Sequence, residues 1–314
     1  MKKLYIALIL LIHSVAFSFA ITDEYDSAVH NAKAFKKPLL LVFVGSDWSH
    51  ESRKLLTKLQ DVDSQDVIKN DIILCKIDFP ELNRQNEKQL QANKELKEKF
   101  NITQIPSAVL LDDEQNYVTT FGFVQVPPSA FARHIKETYS VYFALKQAAK
   151  TLGSKTVAEL EKLLADAKAL QNQALWETVV TEGMSRVENG VFALEKYSHL
   201  VAVGKEKCEE AQSLKRVISG MKEKLSIDAR LQSAMMAFEA AKKEGDVTAA
   251  LSPLEQVLKD VPKDHAQLWR VHFLVAKYLQ DMHQAEKAAE YAQEAKKNAP
   301  EAFHKQLDAI ISEK

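Results

Sequence analysis

The chain has 314 residues, of which 46% are hydrophobic, and its 42 basic and 43 acidic side chains give a formal net charge of −1. This composition can form cores in two domains of ordinary size, and it is not that of a disordered chain. No long block of one charge suggests a nucleic-acid partner. With only Cys75 and Cys208, a disulfide scaffold is excluded, although the two thiols could pair with each other in an oxidising compartment.

The N-terminus has the pattern of a secretory signal peptide. Lys2 and Lys3 precede an apolar stretch over residues 4–17, and Ser18-Phe19-Ala20 supplies the small residues that signal peptidase accepts. We expect cleavage after Ala20, because the apolar core is too short for a membrane anchor and no stop-transfer charges follow it. The sequence therefore predicts a periplasmic or secreted protein with no stable membrane insertion.

The first elements alternate between helix and strand. Apolar residues at helical spacing predict a helix over 25–35, and the unbroken apolar run at 38–44 predicts a strand buried on both faces. Residues 45–48 are expected to form a turn. Ser49 is a suitable N-cap for a helix that reaches about Leu59.

The alternation continues to about Tyr139. We expect a second buried strand at 71–78, a charged helix at 83–100, a strand hairpin formed by 107–111 and 117–121, and a closing helix that begins at Pro127. This order predicts an α/β domain over residues 21–139.

From Ser140 to the end only helical patterns remain, so residues 140–314 are predicted to form an all-helical domain. Helix breaks are expected near Asn172, Gly190, Gly204, Ser226, Gly245, Pro262, Asp281 and Pro300. Residues 230–314 resemble tetratricopeptide-type helical repeats, whose stacked hairpins form a concave face for a peptide or a partner protein. A compact helical bundle without a ligand is the alternative.

Two separated motifs carry a more specific resemblance. The run Val44–Leu55 resembles exported thioredoxin-like proteins in which a strand ends in Gly-Ser-Asp-Trp-Cys-x-x-Cys-Lys-x-Leu, but Ser49 and Ser52 stand where the cysteines would be. Residues 101–107 resemble the second signature of the family, in which Ile105-Pro106 would form the cis-proline step. The resemblance implies a thioredoxin fold and the function of a disulfide bond isomerase.

The chemistry that the family performs needs a thiolate, which a serine hydroxyl cannot replace near neutral pH. The buried acid of the family is missing as well, since Val42 or Phe43 occupies its place. His50 follows Ser49 directly, but no nucleophile elbow or orienting acid accompanies the pair, so a serine hydrolase is not expected. We predict no catalytic residue at Ser49 or Ser52, no cofactor and no metal site.

The two cysteines are weak substitutes for the missing pair. Cys75 lies in an apolar strand, where a thiol is normally an inert small hydrophobe. Cys208 lies in a polar helical segment and is expected to be more exposed.

A peptide-binding surface can be retained in a protein that lacks the thiol chemistry of the family. The resemblance implies a shallow groove for an extended peptide beside the cis-proline, formed here by Trp48, Ile105 and Pro106 with His50 at its rim. The alternative is that these residues persist because they hold the turn and the fold together.

We therefore predict a redox-inactive periplasmic protein that binds exported proteins or peptides as a chaperone-like factor or scaffold. One alternative is a thiol–disulfide isomerase that obtains its thiol elsewhere. A second alternative is a structural subunit that docks on another envelope protein through its helical domain.

Overall fold

The computed structural model describes residues 21–83, 86–186, 190–221, 225–244 and 247–313. The predicted signal peptide and the break predicted at Gly245 lie outside the described residues. Contacts divide the chain into two compact units. The first comprises residues up to Leu152 together with Leu163–Trp176, and the second comprises Gly153–Lys162 and Glu177–Lys314.

The first unit is built on a four-stranded mixed sheet with the order β2-β1-β3-β4. Strand β1 pairs in parallel with β2 and antiparallel with β3, which forms an antiparallel hairpin with β4. All residues of β1 are buried, as the apolar run predicts. The strands are β1 (Leu39–Val44), β2 (Ile73–Asp78), β3 (Ser107–Leu111) and β4 (Tyr117–Gly122).

Helices cover this sheet and confirm the predicted α/β class. They are α1 (Tyr25–Phe35), α2 (His50–Gln60), α3 (Val62–Ile68), α4 (Glu87–Lys99) and α5 (Pro128–Ala148). The sequence pattern does not reveal α3, because a helix of seven residues is too short to show a helical period. Its N-cap is Asp61, whose carboxylate accepts a hydrogen bond from the backbone N–H of Asp63 at 3.0 Å.

The predicted domain boundary after Tyr139 falls inside α5, which continues without a break to Ala148. A buried carboxylate explains the continuity. Asp112, in the β3–β4 turn, accepts hydrogen bonds from the Tyr142 hydroxyl at 2.9 Å and from the Lys146 ammonium at 2.7 Å. These bonds hold the pKa of Asp112 below its usual range although burial alone would raise it. The second half of α5 is thus tied to the sheet.

The remainder of the chain is helical, as predicted. Described helices are α6 (Val157–Ala169), α7 (Gln173–Met184), α8 (Gly190–Ala202), α9 (Glu209–Gly220), α10 (Ile227–Glu244), α11 (Val247–Asp260), α12 (Leu268–Asp281), α13 (Ala285–Lys296) and α14 (Glu301–Ser312). Consecutive helices pack as neighbours, α10 on α11, α12 on α13 and α13 on α14. The tetratricopeptide-type arrangement remains a prediction. In the described ranges, no helix is both long and apolar enough to cross a bilayer.

One segment of the helical region covers the edge of the sheet. Leu164, Ala167 and Leu170 are buried within the first unit, and Asn172 follows them with only 3% of its surface exposed. The Asn172 amide donates hydrogen bonds to the backbone carbonyls of Tyr117 at 2.7 Å and Val118 at 3.1 Å. The free backbone groups of an edge strand can pair with a strand of another chain. The Asn172 amide occupies two of these carbonyls on β4.

We expect Asn172→Asp to lower the free energy of unfolding by about 1–3 kcal/mol, because the carbonyls of β4 lose their donor. Aspartate keeps the oxygen that accepts from the backbone N–H of Leu175 and begins α7. Hydrogen–deuterium exchange should rise over residues 117–122, whereas Asn298→Ala, at an exposed asparagine, should change nothing. Unchanged exchange in Asn172→Asp would show that the amide does not protect the edge.

Candidate functional site

The turn that follows β1 holds the Ser-x-x-Ser motif at the N-terminus of α2. Ser49 is the N-cap, and its hydroxyl oxygen accepts a hydrogen bond from the backbone N–H of Ser52 at 3.2 Å. Its own N–H donates to the carbonyl of Gly45 at 2.8 Å. The Ser49 hydroxyl thus has the capping role that the sequence predicts.

Ser52 is completely buried one turn into α2. Its hydroxyl oxygen accepts a hydrogen bond from the backbone N–H of Gly45 at 3.0 Å. A buried N–H without an acceptor is costly, so this bond closes the turn between β1 and α2. Both serine oxygens therefore stabilise the local fold.

Two carboxylates that no sequence motif indicates stabilise the same turn. Asp78, at the end of β2, accepts a hydrogen bond from the backbone N–H of Ser46 at 3.0 Å. Asp47 accepts from the backbone N–H groups of Glu81 at 3.0 Å and Leu82 at 2.7 Å, and from that of Asn83 at 2.9 Å. Burial opposes ionisation of Asp47, but these donors lower its pKa below the usual value. A lone Asp in a turn gives no sequence signal for partners more than thirty residues away.

Trp48 is the exposed member of the motif, with 42% of its surface accessible. Its indole N–H donates to the carbonyl of Phe79 at 2.8 Å. The ring lies against Gly45, where an added Cβ would be 2.2 Å from a ring carbon, so only glycine fits beneath it. The indole is thus held in place while 42% of the residue stays accessible to solvent.

The second motif lies at the same end of the sheet. Phe43, near the end of β1, pairs with Ser107, the first residue of β3. The loop that follows β1 and the residues that precede β3 therefore lie at the same end of the sheet. The Ile105–Pro106 peptide bond is cis. Ile105 is half-buried and Pro106 is buried, so Ile105 contributes the accessible side chain of this step.

His50 is exposed at the first turn of α2. Among the hydrogen bonds of the described residues, none joins its imidazole to Ser49. In the same described ranges, no group of three or more His, Cys, Asp or Glu side chains is placed to hold a metal ion.

Both thiols are free. Burial raises the pKa of Cys75 to about 12, and the charges of Asp23 and Glu24 add to the effect. Cys208 is half-buried and caps α9, with its sulfur accepting from the backbone N–H of Ala211 at 3.4 Å. Neither thiol is near the motif in sequence, and Cys75 is neither accessible nor ionised at neutral pH.

Comparison with known proteins relates this unit to thioredoxins. The family described as "Thioredoxin-like domain" matches residues 25–138. The thioredoxin-related protein DsbJ of Chlamydia pneumoniae is 26% identical over 291 residues, with 88% of this chain and 82% of that protein covered. The disulfide bond reductase DsbH of the same organism is 30% identical over 115 residues, or 36% of this chain and 69% of that protein.

A solved structure titled "DsbH Oxidoreductase" also matches, with 28% identity and a TM-score of 0.36, and covers 41% of this chain and 91% of its own. The similarity to DsbJ covers 88% of the chain and so includes much of the helical region. The family match, by contrast, is confined to residues 25–138.

We expect Ser52→Ala to destabilise the protein by about 1–3 kcal/mol, because the buried N–H of Gly45 loses its acceptor. Ser49→Ala should cost about 1 kcal/mol through the lost cap. Urea unfolding would measure both, with Ser140→Ala on the exposed face of α5 as the matched control. Equal midpoints for Ser52→Ala and the control would contradict the closing role of the hydroxyl.

A thiol reagent should distinguish the two cysteines. At pH 8 we expect iodoacetamide to modify Cys208 and to leave Cys75 unmodified until urea is added, because Cys75 is fully buried and burial raises the pKa of its thiol well above the pH of the assay. Peptide mass spectrometry after timed quenching would measure each rate. Fast modification of native Cys75 would contradict its burial.

Proposed function

The chain belongs to the thioredoxin-like family, and from this membership we propose that it is a redox-inactive exported protein that binds extended polypeptides as a chaperone-like factor or scaffold. The proposed binding surface comprises Trp48 and Ile105, with His50 two residues after Trp48 in the chain. The partners are exported proteins or peptides, in agreement with the signal peptide that the sequence predicts.

The observation that carries this proposal is that the hydroxyl oxygens of Ser49 and Ser52 both accept hydrogen bonds from the backbone. The oxygens of Ser49 and Ser52 accept backbone hydrogen bonds from Ser52 and Gly45, which keep the motif turn closed. Redox partners in this family attack through sulfur, and neither hydroxyl offers an anion or a stable mixed intermediate. We therefore infer that the turn of the motif is retained while thiol–disulfide exchange at Ser49 and Ser52 is not.

The exposed side chains support a binding role. Trp48 is held by its bond to Phe79 yet is exposed, and Ile105 lies at the same end of the sheet. A rigid aromatic beside an aliphatic side chain offers contact area at a low entropic cost. An extended peptide could add hydrogen bonds to the backbone next to Pro106.

A second candidate function, thiol–disulfide exchange, draws support from the name of the relative DsbH, a disulfide bond reductase. It would require a thiol outside the motif. Cys208 is the candidate, since it is partly accessible and lies at the N-terminus of α9. A third role, as a subunit that docks on an envelope protein through its helices, draws on the stacked pairs of α10 to α14.

Two assays on the purified mature chain test the choice. We expect no turnover in insulin reduction and scrambled-disulfide isomerisation. We also expect saturable binding of fluorescein-labelled, reduced and carboxymethylated lactalbumin in fluorescence anisotropy. Trp48→Ala and Ile105→Ala should each weaken this binding about tenfold, which corresponds to about 1.4 kcal/mol.

Phe35→Ala is the matched control, because Phe35 is an aromatic residue on α1 with 46% exposure. Turnover that disappears in the Cys75→Ser, Cys208→Ser double variant would establish the redox enzyme instead. Absence of both turnover and binding would leave the docking subunit as the better account of the chain.

A further inference from the structure

An open groove of about 660 Å³ lies between α2 and the segment that joins β4 to α5. This volume is in the range of sites that accept small molecules or a few side chains. The lining from α2 and the residue after it is polar and comprises His50, Arg53, Lys54, Thr57, Lys58 and Asp61. The lining from the opposite segment comprises Phe123, Gln125, Val126, Pro127 and Pro128.

The polar wall follows from the helical period. Its residues recur at intervals of three and four along α2, which places them on one stripe. The opposite stripe buries Ser52, Leu55 and Leu59 against the first unit. Arg53 and Lys54 are exposed, although the Arg53 guanidinium also donates to the carbonyl of Ser46 at 3.4 Å. With Lys58 they outnumber the single carboxylate of Asp61 in the groove. A positive groove on a chain of formal net charge −1 is a local feature that attracts anions.

The facing wall is mostly apolar, with Gln125 as its polar member. Val126 in this wall exposes 40% of its surface, although aliphatic side chains favour burial. Pro127 and Pro128 add apolar rings that offer no backbone donor. A ligand on this side would gain from aliphatic contact.

Lys58 joins the two walls. Its ammonium donates to the carbonyl of Val124 at 2.6 Å and lies 5.3 Å from the Phe123 ring centroid and 5.7 Å from that of Phe131. Burial lowers the pKa of Lys58. The bond fixes the separation of helix and loop, so the groove exists before a ligand arrives and little ordering cost remains.

We propose that this groove binds an acidic, extended polypeptide segment, with carboxylates on Arg53 and Lys54 and an aliphatic side chain against Val126. The inference rests on the proposed binding function and assigns the charge of the bound segment. His50 belongs both to the groove and to the rim beside Trp48, so a polypeptide held at the motif turn would continue into it.

Peptide chemistry suits the groove better than a nucleic-acid strand. Single strands bind by stacking bases on open aromatic faces. The aromatic side chain in this lining, Phe123, is only half exposed and lies under Lys58. The aliphatic and proline wall complements Leu, Ile or Val.

Fluorescence anisotropy with designed peptides tests the proposal on the full mature chain. The probe is a fluorescein-labelled Gly-Ser-rich peptide that carries several Glu and two Leu residues, and two further peptides replace Glu by Gln or by Lys. We expect the Glu peptide to bind at least tenfold more tightly than the Lys peptide, with a preference that shrinks as salt rises. The Arg53→Glu, Lys54→Glu double variant should lose this preference.

Lys88→Glu, Lys94→Glu on α4 is the matched control, because both lysines are exposed and the change of charge is the same. Equal losses in the two double variants, or tighter binding of a poly-dT oligonucleotide than of the Glu peptide, would overturn the assignment. If all three peptides bind equally and Trp48→Ala weakens them, the proposed function stands and the acidic specificity falls. If no peptide binds but reduced, carboxymethylated lactalbumin still does, the groove assignment falls and the proposed function stands. If neither binds, both fall.

Discussion

Strand β1 is buried over its whole length, between β2 on one side and β3 on the other. With no polar residue and both edges paired, its position in the first unit has little freedom. The turn that follows β1 therefore lies at the end of the sheet at which Ile105 and Pro106 also lie. The relation between the two sequence motifs depends on this one constraint, and so does the placement of α2 with its groove.

The same turn contains serines at the two positions where the family motif has cysteines, and its backbone hydrogen bonds are nevertheless satisfied. The oxygens of Ser49 and Ser52 accept bonds from backbone N–H groups that would otherwise lack partners, and Asp47 and Asp78 hold the rest of the turn. What the substitution removes is an ionisable nucleophile. The exposed indole of Trp48 and the basic stripe of α2 do not depend on sulfur, so the proposed binding surface does not require the thiol chemistry of the family.

The first unit extends beyond the α/β segment that sequence patterns outline. Asp112 binds the second half of α5, and Asn172 donates to β4 from a stretch of helical sequence. Removal of everything after Tyr139 would cut α5 and uncover the edge strand. The match to DsbJ over 88% of this chain agrees with a thioredoxin-like segment and a helical region that occur together in one polypeptide.

The sequence by itself determined the α/β class, the buried strands, the capping role of Ser49, the missing thiols and most helix breaks, because each depends on local period or on residue chemistry. It did not reveal α3, which is too short for a period, or the partners of Asp47, Asp112 and Asn172. Those bonds join residues far apart in the chain, and a polar side chain carries no local sign of its distant acceptor or donor. Only the tertiary structure could show that Lys58 joins α2 to Val124, and that a basic stripe therefore faces an apolar wall.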